Sequence, residues 1–318
     1  MNETRLTVLM PVYNGEKYIA EAVRSVMQQT FTDFELLIVN DGSEDKTSAR
    51  VRQFADPRIR MLELPHKGIS MALNEGLKNA NGVFIARFDA DDICFPDRMQ
   101  KQINFLEKNP DYVIVGCDVE YITEAGEHLF NFESSACEHD AIMEQLYVKC
   151  PFIHSGVMYR KEMVLKAGGY SPEAHTFEDY LLWVNLAKHG KYHNIPERLI
   201  KVRFNPASVT MDEKWRGRRF CELKKSIINR GYVTKAEDEE LTRIIRKQNK
   251  PGILKAAYYA LCGKKFLVNN FQPARARNHL AKAIFHFPLR LDNYALYMLS
   301  FFPKPFITWL HGKIPTKI

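Results

Sequence analysis

The run Gly82-Val83-Phe84-Ile85-Ala86-Arg87-Phe88-Asp89-Ala90-Asp91-Asp92 holds an apolar segment that ends in three carboxylates within four positions. Like charges this close repel, and each resists ionising beside its neighbours. A cation removes that penalty. Hard divalent ions take oxygen ligands, and Mg²⁺ commonly combines one or two carboxylates with substrate phosphates. The pattern points to a metal–phosphate site at the end of a strand. A solvated acidic turn has the same composition, so the flanking segments must separate the two readings.

Those segments alternate strand and helix signals. Leu6 to Met10 is a short apolar strand, and Pro11-Val12-Tyr13-Asn14-Gly15 is a turn punctuated by Pro and Asn-Gly. Between Tyr18 and Gln29, apolar residues at Ile19, Ala22, Val23, Val26 and Met27 recur at helical spacing. Phe34 to Val39 is a strand broken only by Glu35. Asn40-Asp41-Gly42-Ser43 is a turn whose Asp or Ser is placed to cap the next helix. Arg60–Leu64, Ile69–Ala80 and Val83–Phe88 read as strand, helix and strand. Such alternation predicts an α/β fold, with a mainly parallel sheet and helices on both faces. In open sheets of this kind ligands bind beyond the carboxyl ends of the strands. All three polar turns follow strand ends, so they should gather on one edge.

Further along, Tyr112–Val119 is expected to be a strand and Tyr121–Phe132 a hairpin turning at Glu124-Ala125-Gly126. Phe152–Tyr159 reads as a strand, Gly168-Gly169-Tyr170 as a turn, and Phe177–His189 as a helix with Glu178-Asp179 in its first turn. Tyr192–Phe204 reads as two short strands. After about Val209 the texture becomes basic and helical: Trp215–Asn229, Ala236–Arg246, Ile253–Leu261, Pro273–Phe285 and Leu291–Phe302. The expected domains are residues 1–210 and a helical region, residues 211–318. Asn269 to Pro288 is similar to one unit of a helical repeat, but an array needs several.

The 318 residues are 46% hydrophobic and 26% charged, an ordinary globular balance. Six cysteines show neither a CxxC pair nor a zinc spacing. Met1-Asn2-Glu3-Thr4-Arg5 runs straight into the first strand without the regions of a signal peptide. Reduced thiols in a cytoplasmic protein are the expectation. The net charge of +7 is unevenly spread: residues 213–318 hold 22 Lys and Arg against 7 Asp and Glu, while residues 1–212 are net negative. That asymmetry suggests an anionic partner for the C-terminal part, either lipid or nucleic acid. A basic solvated helical face is the simpler account. Tyr294–Leu310, the nearest candidate for a membrane crossing, is broken by Pro303-Lys304-Pro305 and is short of the roughly 20 apolar residues a crossing needs.

Leu9-Met10-Pro11-Val12-Tyr13-Asn14, Asn40-Asp41-Gly42-Ser43, Asp89-Ala90-Asp91-Asp92 and Glu178-Asp179 resemble, in this order and spacing, four landmarks of family 2 glycosyltransferases of the GT-A fold. Gln28-Gln29-Thr30-Phe31, and Gly68-Ile69-Ser70 with Asn74, resemble it too. The likeness covers roughly residues 5–205. It implies a Rossmann-like GT-A domain and a nucleoside-diphosphate sugar donor, UDP-linked by preference. By the resemblance, Pro11 and Tyr13 line the nucleoside pocket and Asp41 reads the base, a task for which a carboxylate acceptor suits a ring N–H. A turn former or helix cap is the alternative role for Asp41. Asn40 stands where many relatives have a second Asp.

In the same reading Asp89-Ala90-Asp91 is the DxD motif. Asp91 binds Mn²⁺ or Mg²⁺, and Asp89 contacts the ribose or supports the ion. Asp92 either backs this set or simply adds charge. Asp179 is the base of an inverting transfer to a hydroxyl of a glycan or lipid-linked glycan acceptor, with Glu178 as its alternative. A favourable charge at a helix N-terminus would also explain the Glu178-Asp179 pair. His154 lies before Val157-Met158, near where the family often has a His, and a structural role is the alternative. Trp183 is expected to pack inside or stack on acceptor.

The resemblance and the basic C-terminus imply a bacterial polysaccharide or lipopolysaccharide pathway. Phe285 to Trp309, mixing aromatics with Arg290, Lys304 and His311, suggests peripheral attachment to the inner face of the cytoplasmic membrane. A helical cover packed on the catalytic domain is the alternative. Two rival functions remain. A sugar nucleotidyltransferase would carry a glycine-rich basic loop where Pro11–Glu16 stands. A non-catalytic nucleic-acid binder would show a recognisable motif among the basic helices, and none is present.

Overall fold

The computed structural model describes residues 4–206, 215–248 and 250–313. The elements run β1 (Leu6–Val12), α1 (Ile19–Met27), β2 (Phe34–Asp41), α2 (Thr47–Val51), β3 (Ile59–Leu64), α3 (Ile69–Asn79), β4 (Phe84–Arg87), β5 (Ile93–Cys94) and α4 (Arg98–Lys108). They continue with β6 (Tyr112–Ile122), β7 (His128–Phe132), α5 (His139–Gln145), β8 (Met158–Arg160), α6 (Lys161–Lys166), α7 (Glu178–Leu186) and β9 (Lys191–Arg203). Then come α8 (Gly217–Arg230), α9 (Lys235–Gln248), α10 (Pro251–Val268), α11 (Pro273–His286), α12 (Leu291–Leu299) and α13 (Lys304–Lys313).

The strands form one mixed sheet in the order β3-β2-β1-β4-β8-β6-β9-β5, with β7 paired to β6. The first four are parallel, and β8 and β5 pair antiparallel to their neighbours. Every residue of β1 and β2 is buried, as befits parallel strands covered on both faces. Glu35, the polar interruption in β2, is consistent with that burial because its carboxylate is fully used. It accepts from Thr7 Oγ1 (2.7 Å) and Asn81 N (2.6 Å) and pairs with Arg60 (3.0 Å). Helix α3 lies close against β1. A Cβ on Gly76 would come within 2.3 Å of Leu9 Cδ1, so only glycine fits there.

Several expectations need correction. Phe152–Tyr159 is not one strand: His154–Gly156 is a 3₁₀ turn, and β8 starts at Met158. Lys191–Arg203 is one long strand instead of two. Helices α4, α5, α6 and α13 and the short strand β5 have no counterpart among the predicted elements. The chain divides into two compact units, Met1–Glu120 with Asn131–Val202 and Lys224–Asp238, and Tyr121–Phe130 with Arg203–Leu223 and Glu239–Ile318. The boundary expected near residue 210 lies outside the described residues. In the second unit α10 and α11 each begin with proline at the first turn. They pack antiparallel, Tyr259 against His286 and Phe266 against His279.

Candidate active site

The sheet order puts β1 between β2 and β4, all running the same way. Leu6 faces both Phe34 and Phe84, Leu9 faces Arg87, and Val12 faces Asn40. Pro11 and Val12 are still in β1, and Asn40 and Asp41 in β2, so the expected turns start one or two residues later. The segments after Val12, Asp41 and Arg87 therefore leave from one edge. Hydrogen bonds lace the first two. Asn14 N donates to Ser43 Oγ (2.9 Å), Glu44 N to Asn14 Oδ1 (2.9 Å), and Gly15 N to Thr47 Oγ1 (2.8 Å). Asn14 has φ 51°, a left-handed conformation that asparagine tolerates. A Cβ on Gly15 would lie 3.9 Å from the Ala90 Cβ, which brings the acidic turn alongside.

Asp41, 3% exposed, closes β2. Its carboxylate accepts from the backbone N–H groups of Lys67 (2.8 Å) and Gly68 (2.9 Å), and His66 Nδ1 lies 2.9 Å from the second oxygen. Asp41 thus organises the loop that opens α3. It does not cap α2, as its position suggested. The N-cap position is Lys46, whose side chain makes no capping bond, and Asp45 one residue earlier accepts from Thr47 N (2.9 Å). The His66 ring stacks on Tyr13 at 4.0 Å between centroids, and Tyr13 leaves 45% of its surface exposed. Pro11 is buried in β1. A small cavity of ≈ 100 Å³ opens beside Asp41, lined by Leu64, Pro65, Lys67, Met71, Ala72 and Glu75. His66 was missed in the sequence reading. Its signal was its place just after β3, by the same strand-end rule that picked out the other turns.

The acidic turn is organised by Arg87, the last residue of β4. Its guanidinium is buried and ion-paired with Asp89. Burial alone would lower the Arg87 pKa; the charges of Asp89 and Asp92 outweigh it and hold the group above its ordinary value. Asp89 is about one-third exposed, Asp91 is half-buried, and Asp92 is buried. The turn closes through Asp92 N donating to Asp89 O (3.3 Å).

The start of α7 supplies the second acidic pair. Glu178 is buried and Asp179 half-buried, with Asp179 Oδ1 accepting from Tyr180 N (2.7 Å). Burial raises both carboxyl pKa values. The Asp179 charge adds to the rise at Glu178, the Asp89 charge adds a little more there, and Arg87 opposes the rise at both. Arg87 N donates to Val157 O (3.0 Å), and three positions earlier the His154 ring meets Trp183 of α7 at 5.9 Å, so the acidic turn and the start of α7, about 90 positions apart in the chain, come close together.

His154 belongs to the same cluster. Its Nε2 lies 3.1 Å from Tyr170 Oη, and burial, helped by Arg87, keeps its pKa well below the ordinary value, so the ring is neutral. Trp183 is completely buried among the rings of Phe152, His154, Tyr159 and Tyr170, which places it in the core.

Among the described residues no group of three His, Cys, Asp or Glu side chains forms a ready-made cation cage. The donor set at Asp89 and Asp91 is hard carboxylate oxygen at a strand end. That set suits Mg²⁺ or Mn²⁺ when the remaining ligands come from a bound diphosphate.

Residues 7–169 match glycosyl transferase family 2. An O-antigen biosynthesis glycosyltransferase of Escherichia coli, WbnJ, is 31% identical over 210 residues, covering 64% of this chain and 81% of its own. An uncharacterised glycosyltransferase of Rickettsia felis is 28% identical over 85% of this chain. The match spans only 45% of that longer protein, so the chain covers less than half of this relative. Among solved structures, S. aureus TarS (residues 1–349) in complex with UDP-GlcNAc superposes with a TM-score of 0.57 at 15% identity, covering 98% of this chain and 93% of that one. The mannosyltransferase PcManGT of Pyrobaculum calidifontis, in complex with GDP-Man and Mn²⁺, gives 0.56 at 19% identity, over 96% and 83%. The fold is thus of the GT-A type. The chain belongs to glycosyl transferase family 2.

Proposed function

We propose that the protein moves a sugar from a nucleoside-diphosphate donor, UDP-linked by preference, to a hydroxyl of a glycan or lipid-linked glycan, with inversion at the anomeric carbon. The observation that carries this reading is the convergence of two acidic motifs on buried Arg87 at the rim where the parallel strands end. TarS, bound to UDP-GlcNAc, supports the donor class, and PcManGT, bound to GDP-Man and Mn²⁺, supports a divalent ion. The O-antigen biosynthesis relative supports a surface-polysaccharide setting. Residues 1–210 are the proposed catalytic domain and residues 211–318 a helical appendage.

In this reading Tyr13 and Pro11 flank the nucleoside, and Asp41 accepts from the base with the oxygen lone pairs its backbone clamp leaves over. Asp91 and Asp89 hold the ion, which when bound neutralises charge on the diphosphate. Asp179 takes the proton from the acceptor hydroxyl. The acceptor oxygen bonds to the anomeric carbon as the bond from that carbon to the diphosphate oxygen breaks, and the nucleoside diphosphate leaves with the electron pair. Raised by burial, the Asp179 carboxylate is a stronger base than a solvated one, which suits this task.

A donor screen with and without Mn²⁺, reading release of nucleoside diphosphate, tests the proposal. Asp179→Asn should lower turnover by about 10²–10⁴-fold while donor binding persists. Asp91→Ala should weaken metal-dependent donor binding itself. Wild-type turnover in the Asn variant would remove Asp179 from its role. Absence of release from every nucleotide sugar tried would end the proposal as a whole.

A further inference from the structure

Helix α12 is amphipathic the wrong way round for a segment bathed only in water, while α11 buries Ala276, Leu280 and Ala283 and α13 buries Ile307. Asn293 and Ser300 are turned inward, 2% and 1% exposed. Leu291, Met298, Phe301 and Phe302 face outward at 78%, 61%, 60% and 47%. Phe285 and Trp309 add to the same exposed apolar set. Phe302, Phe306 and Trp309 form a ladder, with ring centroids 4.8 and 6.0 Å apart. Exposed apolar clusters on this scale mark interaction surfaces.

Three occupants could cover such a face, and charge chooses among them. Residues 271–313 carry Arg275, Arg277, Lys282, Arg290, Lys304 and Lys313 against a single acid, Asp292. Asp292 is itself paired with Arg290 at 3.2 Å. A second copy of this face would bring like charges together. A nucleic acid would satisfy the cations and leave the aliphatic side chains in water. An anionic lipid surface satisfies both, because phosphates meet the cations while aromatic and aliphatic side chains enter the acyl boundary. Crossing is excluded for these helices. Helices α12 and α13 have 9 and 10 residues, and at a rise of about 1.5 Å per residue each reaches only about half the hydrocarbon thickness. Among the described residues no helix is long and apolar enough to span.

We infer that the α11–α13 segment is a monotopic anchor that lies in the interface of an anionic membrane. This goes beyond the catalytic reading and does not depend on it.

The test is co-sedimentation of the full chain with vesicles of phosphatidylcholine alone and of phosphatidylcholine mixed with phosphatidylglycerol, at low and high salt. The wild type should partition onto the mixed vesicles, show a blue shift of tryptophan emission that Trp309→Ser removes, and release as salt rises. Phe302→Ser combined with Trp309→Ser should weaken partition about tenfold or more. Lys282→Glu combined with Lys304→Glu keeps the apolar face and should lose the preference for anionic lipid; circular dichroism and melting of both variants verify folding. Equal partition onto neutral vesicles, or none onto either, overturns the inference. So does a dimer in sedimentation velocity that Phe302→Ser with Trp309→Ser dissolves, since the face would then belong to a second copy. Salt-sensitive binding to RNA or DNA in place of vesicles overturns it as well.

Discussion

The residue that shapes the site's electrostatics is Arg87, a cation inside an apolar strand with Asp89, Asp92, Glu178 and Asp179 around it. Without it, four carboxyl groups would crowd one partly buried centre. Its charge does not cancel the burial penalty at α7, so both carboxyls there titrate above the ordinary range. The sign of the consequence follows. A base must be ionised, so transfer should fall as pH drops through a limb above the ordinary carboxylate value of about 4. Stability should move the opposite way. A raised pKa means the folded state binds more protons than the unfolded one, so melting temperature should decline as pH rises across the same window. Glu178→Gln should flatten that decline. Rate–pH profiles and thermal melts on one buffer series check both. A limb at the ordinary carboxylate value would show that Asp179 is solvated in the working enzyme.

At the element scale, the loop between β3 and α3 holds Asp41 in place. Gly68 has φ 92° and ψ 163°, a region open almost only to glycine, and its N–H is one of the two that clamp the carboxylate. No atom would clash with an added Cβ there, so the cost of a substitution is backbone strain alone. Gly68→Ala should destabilise by about 1–3 kcal/mol. It should also weaken binding of the donor nucleotide, because the shifted loop carries His66 and its stack on Tyr13. Denaturant unfolding and nucleotide titration read the two effects separately. An unchanged affinity for nucleoside diphosphate would detach Asp41 from the donor site. Strand β8 makes a second point at this scale. Phe152–Tyr159 looks like a strand because it is apolar, but only Met158–Arg160 finds ladder partners, in β4 and β6.

For the whole molecule, a donor site open along the strand ends should couple ligand to global stability. Saturating UDP with Mn²⁺ at about a hundredfold over Kd should add about 2.7 kcal/mol, seen as a rise in Tm that chelation removes. UDP should act more strongly than GDP. An equal response to both would leave the donor base unspecified, and no response to either would argue against a nucleotide site. The uneven charge also belongs to this scale, with a negative first two-thirds of the chain and a strongly basic remainder.

Local pattern was enough to reveal the parallel half of the sheet, because burial on both faces forces unbroken apolar runs and each strand must return through an amphipathic helix. It was enough to mark the three strand ends, since proline, glycine, asparagine and clustered acids are rare in strand interiors, although β1 runs on through Pro11 and β2 through Asn40 and Asp41. Helices α4, α5 and α6 escaped, though α4 buries Met99, Ile103 and Leu106 at helical spacing. Partnership across the chain had no trace in any short window. That Arg87 would face α7, that His66 would lie on Tyr13, and that Asp41 would clasp the loop before α3 all depend on strands taking the order β3-β2-β1-β4-β8. Such pairings are set by packing and by the cost of leaving buried charge uncompensated, and those forces act between residues only after the chain has folded.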